Sequence, residues 1–393
     1  MFNFFESIFI EAIRVVGIVL GGFLVLIGAN YVELGKINRP TEIVEETIPE
    51  ILEAESDGQK KIYELDSEKV IQKEETAKDS IKEVLEKETE RKSEAITQKQ
   101  VFSIIPEKKL NEKTRASLVN ILCLTRRNGS LDSLSGSGVI IDPRGVIITN
   151  AHVAEFFLLE DYLTENNIDC VIRMGEPARP LYKAALLNIS KEWVEETAST
   201  IRKSERTGTG ENDYALLLIT SNINGQSIPN EAVFPYLEVD TDFIAYANYP
   251  VFLAGYPAEF LGEITIQRDF WPVSSSVEIK SSYYFSEEGK EKPDLLGLGG
   301  SVVAQAGASG GAVVDSYTGK LVAVIVTTSE AKTTGDRDLN GATLNHINRA
   351  MAKSIGKNLR EFLSQNLKEE LNRFQRDNFG TLKNLLVKEL ERR

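Results

Sequence analysis

From about Asn111 to Asn345 the chain is a succession of short apolar runs cut by Gly, Ser and Asn. Leu118–Leu124 reads LVNILCL, Gly138–Ile141 GVII, Val146–Thr149 VIIT, Ala215–Ile219 ALLLI, Val251–Ala254 VFLA and Lys320–Val326 KLVAVIV. Runs of four to eight residues, rich in β-branched side chains and closed by turn formers, predict strands. A segment built this way folds as a mostly-β barrel or sandwich, because a one-faced sheet must bury that face against another layer. The 393 residues allow two or three folded units at roughly 150 residues each.

The flanks differ. Val15–Ala29 reads VVGIVLGGFLVLIGA without a charge, and Asn30, Tyr31 and Val32 extend it to 18 residues. As a helix it measures about 27 Å, close to the roughly 30 Å of a hydrocarbon core. No small-residue cleavage site follows it, so residues 1–40 are expected to be an uncleaved membrane anchor. Gly17 and Gly21 form a G-x-x-x-G, a weak pairing signal that leaves an oligomer open. Residues 41–111 are expected to be a charged helical or disordered stalk; within 41–100 stand 18 acidic and 10 basic residues. Ile62, Leu65, Ile71, Ile81, Val84 and Leu85 keep no heptad register, which argues against a long coiled coil. Residues 112–352 hold the strand-like pattern. In 353–393 Leu359, Phe362, Leu363, Leu367, Leu371 and Phe374 recur at three and four. Beyond Gly380 the spacing resumes with Leu382, Leu385, Leu386 and Leu390, predicting C-terminal amphipathic helices.

Composition removes several functions. A net charge of −14 argues against a nucleic-acid partner, which needs a basic surface. Two cysteines and two histidines argue against a disulfide scaffold and against a metal centre, and no cofactor is indicated. Cys123 lies in an apolar run and reads as a buried thiol. Cys170 reads as buried or free, and spacing alone does not pair the two.

Three stretches carry chemistry. Thr149-Asn150-Ala151-His152-Val153 ends one strand-like run, Asp213 opens another, and Ser309 sits in Gly307-Ala308-Ser309-Gly310-Gly311. A serine hydroxyl becomes a nucleophile when a base takes its proton. A neutral imidazole does this near pH 7, and a carboxylate on its other nitrogen fixes the tautomer. Glycines around Ser309 let the Gly307 and Ser309 N–H groups converge as an oxyanion hole, with Gly310 and Gly311 leaving room for a substrate backbone. Asp161, Asp169, Asp240 and Asp242 do not open an apolar strand as Asp213 does. Ser135 and Ser137 read as turn residues, and His346 has no nucleophile near it in sequence.

With SGSGVIIDPRGVIITNAHV at 135–153, NDYALLLI at 212–219, PVFLAGYP at 250–257, GASGGAV at 307–313 and GKLVAVIV at 319–326, the chain resembles the trypsin-like (chymotrypsin-fold) serine proteases. Within them it is most similar in texture to the bacterial HtrA/Deg group. The resemblance covers about 112–352. It implies two antiparallel six-stranded β-barrels, with His152 and Asp213 from the first and Ser309 from the second. It also implies protein or peptide substrates and a peptidase domain outside the cytoplasm. A primary pocket is implied on Val302–Ala306 and Val324–Thr328, with Val303 and Val326 as substrate-binding residues. Neither stretch holds an acid, which favours a small or medium aliphatic side chain there. Ala308 stands where zymogens of this family carry an aspartate that pairs with a freed N-terminus, so activation by that cleavage is not expected. About 40 residues follow Met351, so no PDZ domain is expected. Lys191–Glu211 is an insertion, read as an amphipathic helix and flexible turn that decorate the surface. The alternatives are a proteolytically silent peptide-binding module of the same fold, or a membrane-tethered scaffold.

Overall fold

The computed structural model describes residues 103–126, 131–202, 209–286, 292–328, 331 and 333–392. The expected anchor and nearly all of the expected stalk lie outside them. Among the described residues no helix is long and apolar enough to cross a membrane. The folded body starts before the expected boundary at 111. Helix α1, Glu107–Ser117, buries Leu110, and Ile105 N–H donates to Ser316 O at 2.8 Å.

Six strands follow: β1 (Leu118–Thr125), β2 (Leu134–Asp142), β3 (Val146–Thr149), β4 (Ile168–Met174), β5 (Arg179–Ile189) and β6 (Ala215–Asn222). They close a barrel in the order β1-β2-β3-β6-β5-β4, with β4 returning to β1. Alternate residues of these strands fill its interior; Val119, Ile121, Ile140, Ile147 and Leu217 are buried in one cluster. Cys123 and Cys170 face each other in the β1–β4 register and form a disulfide. The reading of Cys123 as a buried thiol is thereby corrected, because a sequence separation of 47 hides a pairing that the register makes direct.

The second half departs from the expected closed six-stranded barrel. Its strands are β7 (Pro250–Gly255), β8 (Val273–Glu278), β9 (Ser281–Tyr283), β10 (Leu295–Gly299), β11 (Ala312–Asp315), β12 (Leu321–Thr328) and β13 (Leu339–Thr343). They form one seven-stranded sheet ordered β8-β7-β11-β12-β13-β10-β9. The two edges are neighbours in sequence, and the reason is a switch of partner between Ile279 and Lys280. Ile279 still pairs with Asn248 and Tyr249 on the β7 side, whereas Lys280 N–H donates to Gly297 O on β10. One bent strand therefore supplies both edges of a strongly curled sheet.

The C-terminal helices are part of this body. Helix α5 (Leu344–Ile355) starts at a Thr343 cap and ends at Gly356, whose φ of +69° no β-carbon favours. Helices α6 (Leu359–Leu363) and α7 (Leu367–Phe374) follow; Leu359, Phe362 and Leu367 bury in the cluster between the halves. After one wider turn, Gln375–Phe379, helix α8 (Gly380–Glu391) buries Leu382, Leu386 and Leu390 against the first barrel. The three- and four-residue spacing of its leucines is the stripe that makes this contact.

Candidate active site

His152 sits in the first turn after β3, on the short helix Ala151–Ala154. Asp213 lies two residues before β6, and β3 and β6 are paired, with Thr149 opposite Ala215. The pairing brings the two side chains together. Asp213 accepts from the His152 backbone N–H at 3.0 Å through Oδ1, and lies 2.8 Å from His152 Nδ1 through Oδ2. Its own carbonyl accepts from Asn150 Nδ2 at 2.9 Å. The carboxylate is 3% exposed, while the imidazole is 23% exposed. A buried carboxylate gripping both the backbone and Nδ1 of one histidine fixes the ring and leaves Nε2 facing outward.

Ser309 is half-buried in the turn that enters β11. Gly307 has φ +92° and Gly310 φ +85°, both in the region where a β-carbon is strained. Close packing adds a second reason at Gly310. A β-carbon there would lie 2.0 Å from Ser137 O and 2.4 Å from Thr149 Oγ1; at Gly311 it would lie 2.6 Å from Ala254 O. Their bareness therefore serves contact between protein segments, which corrects the expectation that it leaves room for a substrate backbone.

Ser137 carries much of that contact, although its sequence setting reads only as a turn. It is fully buried. Its N–H donates to Ser309 O at 2.8 Å, and its hydroxyl donates to Gly307 O at 2.7 Å and accepts from Tyr256 N–H at 2.8 Å. Its carbonyl accepts from Thr149 Oγ1 at 2.7 Å. One residue of β2 thus ties the serine turn to the strand that leads to His152. The S-G-S-G run was the available signal, since small residues permit such close approach.

Among the described residues the Gly307 and Ser309 N–H groups have no acceptor, and the Ser309 hydroxyl has no hydrogen bond, to His152 or to another group. The structure thus joins His152 to Asp213 directly and ties the turn that holds Ser309 to β3, the strand before His152, through Ser137 and Thr149.

One further expectation changes. The insertion is not surface decoration: helix α3, Lys191–Thr197, buries Trp193 and Val194 in the first barrel's cluster. The Trp193 ring centroid lies 6.3 Å from that of His152. Ser190 caps this helix, Glu192 accepts from Ser354 on α5, and Arg202 donates to Leu390 O on α8. His346, on α5, lies 3.1 Å from Asp294 Oδ1 through Nδ1 and 2.6 Å from Glu211 O through Nε2, so it ties down the loop leading to Asp213. Val303 and Val326 are both buried, Val303 beside Leu296 and Ile325 in one cluster and Val326 with Tyr214 and Leu295 in another.

The His–Asp pair stands on the barrel and the serine turn on the curled sheet, and Ser137 joins the two. Residues 136–324 match the family model of the trypsin-like peptidase domain. Similar solved structures include the serine endoprotease from Yersinia pestis, 18% identical with a TM-score of 0.40, covering 65% of this chain and 69% of that one. The Rv3671c protease from M. tuberculosis in its active form is 18% identical with a TM-score of 0.39, covering 65% of this chain and 88% of that one. No curated protein matches the sequence.

Proposed function

We propose that this protein is a serine endopeptidase of the HtrA/Deg kind, held to a membrane by its N-terminal segment, with its peptidase domain outside the cytoplasm. The observation that carries the catalytic reading is the two-point grip of Asp213 on His152. With Nδ1–H held by the carboxylate, Nε2 is the basic nitrogen. It takes the proton of Ser309 Oγ as that oxygen attacks a peptide carbonyl carbon. The oxyanion accepts from the Gly307 and Ser309 N–H groups. As the C–N bond breaks, His152 returns the proton to the leaving amine. Water, deprotonated by the same nitrogen, then hydrolyses the acyl-enzyme. Asp213 stays ionised throughout and stabilises the imidazolium.

Placement outside the cytoplasm rests on the uncharged run Val15–Ala29 and on the Cys123–Cys170 disulfide, a bond that persists in oxidising compartments. The primary pocket takes small or medium aliphatic side chains, because Val302–Ala306 and Val324–Thr328 hold no acid to pair a cation. Extended or unfolded protein segments present such residues. A proteomic cleavage-site profile of wild type against Ser309→Ala tests this reading. It predicts sites after Val, Ala, Ile or Leu that vanish in the variant; dominant Lys or Arg at the cleaved position contradicts the pocket, and identical profiles contradict the nucleophile.

A further inference from the structure

The segment Ser301–Ser309 turns on itself through bonds such as Ala304 N–H to Ser301 O and Ala308 N–H to Gln305 O, and it is also gripped from outside. Two of those grips converge on Ala306, immediately before the proposed oxyanion donor Gly307. Ala306 O accepts from Ala258 N–H at 2.7 Å, and Ala306 N–H donates to Glu259 Oε2 at 3.3 Å. Adjacent residues 258 and 259 thus hold both backbone groups of one residue. In a planar trans peptide the C=O and the following N–H point in opposite directions. Pinning Ala306 O toward Ala258 therefore aims the Gly307 N–H the other way, and a turned peptide plane would remove that donor.

Glu259 is itself held. Arg337 meets it as a fork, Nη1 to Oε2 at 2.5 Å and Nη2 to Oε1 at 2.6 Å, and the same Nη1 donates to Ala304 O at 2.9 Å. The Arg337 side chain is 9% exposed, and its guanidinium lies over the Phe260 ring at 5.8 Å. A two-bond fork restricts the carboxylate in direction as well as distance, which a single ammonium contact does not. The loop bearing Arg337 is in turn fastened to the segment by Ser301 N–H on Thr334 O at 3.2 Å. Ala304 and Ala306 are thus bracketed from one side by an ion pair whose Arg337 end is buried and whose Glu259 end is at the surface.

We propose that Glu259 and Arg337 are positioning residues: by holding Ala306 N–H and Ala304 O they fix the peptide planes on either side of Gln305, which keeps Ala306 O against Ala258 N–H and the Gly307 N–H aimed at the developing oxyanion. This rests on the serine-peptidase reading above. The clamp holds the donor in place without a cleaved N-terminus, in a chain where Ala308 offers no charge to such a group.

The test measures the rate of Ser309 phosphonylation by a fluorophosphonate, and kcat and KM on a fluorogenic casein. The proteins are wild type, Glu259→Ala, Glu259→Gln, Arg337→Lys and Ser309→Ala. Glu259→Ala is expected to slow labelling and kcat together by at least about tenfold, with KM changed less than about threefold, since the lost interaction belongs to the transition state. Glu259→Gln keeps an acceptor for Ala306 N–H and should recover part of the rate. Arg337→Lys keeps the charge, loses the fork and should stay slow. Should Arg337→Lys not fold, the two Glu259 variants decide, because that carboxylate lies at the surface end of the pair. Labelling and kcat within twofold of wild type in Glu259→Ala overturns the clamp while leaving the nucleophile intact. A wild type that does not label, or a Ser309→Ala variant that labels equally, overturns both.

Discussion

Ser137 is the residue through which the two halves of the site touch, and its hydroxyl both donates and accepts in a place closed to water. Ser137→Ala leaves Gly307 O and Tyr256 N–H without that partner. The expected cost is about 1–3 kcal/mol of stability per buried group left unpaired. Calorimetry checks it, and turnover per folded molecule should fall as the serine turn loosens. Glu160 offers a test through pH. Burial first of all raises its carboxyl to about 7, against a partial opposing pull from Lys183. Between the ordinary carboxylate value near 4.3 and about 7, the folded state then binds more protons than the unfolded one. This group's contribution to stability therefore declines as pH rises through that window and is flat above it. Glu160→Gln should stabilise the protein at pH 7.5 by about 1–3 kcal/mol, with the gain vanishing by about pH 4. Unfolding curves of both proteins at the two pH values measure it; an equal gain at both contradicts the burial of a charge as its cause.

At the scale of elements, the strands were legible because short β-branched runs between turn formers have no stable alternative to a sheet. The His152–Asp213 pair was legible because each residue sits at the mouth of such a run. Other features depend on register and packing, which spacing does not encode. Cys123 and Cys170 are 47 residues apart, and only the β1–β4 pairing sets them face to face. Helix α3 has the charged ends of a surface helix; nothing in KEWVEET foretells that Trp193 turns inward toward His152. The second barrel was expected closed because the resemblance implied it, and the change of partner between Ile279 and Lys280 is set by strand pairing, not by a local signal. The Glu259–Arg337 fork joins residues 78 apart and left no local signal. The disulfide gives an element-scale prediction. Closing a loop of that length restricts the unfolded chain, so Cys123→Ser with Cys170→Ser should lower stability by about 2–4 kcal/mol. Denaturant titration with and without a reductant checks the value, and an unchanged midpoint contradicts it.

On the scale of the whole molecule, the peptidase body includes α1 before the first barrel and α5–α8 after the sheet. Leu382, Leu386 and Leu390 join the same cluster as Trp193, so the C-terminal stripe supports the barrel that carries His152. The N-terminal run is the one apolar segment of spanning length in the sequence. A protein lacking residues 1–32 should fractionate with the aqueous phase and keep its activity; one that still partitions as an integral membrane protein contradicts the single anchor. The central claim is that Asp213, His152 and Ser309 act as one unit. Intact-mass analysis after fluorophosphonate treatment, with the adduct mapped by peptide sequencing, tests it most directly. One adduct is expected, on Ser309, absent in Ser309→Ala and slowed on the order of 10⁴ in His152→Ala. A folded wild type that takes no adduct, or takes it at undiminished rate without His152, contradicts it and leaves a silent peptide-binding domain in its place.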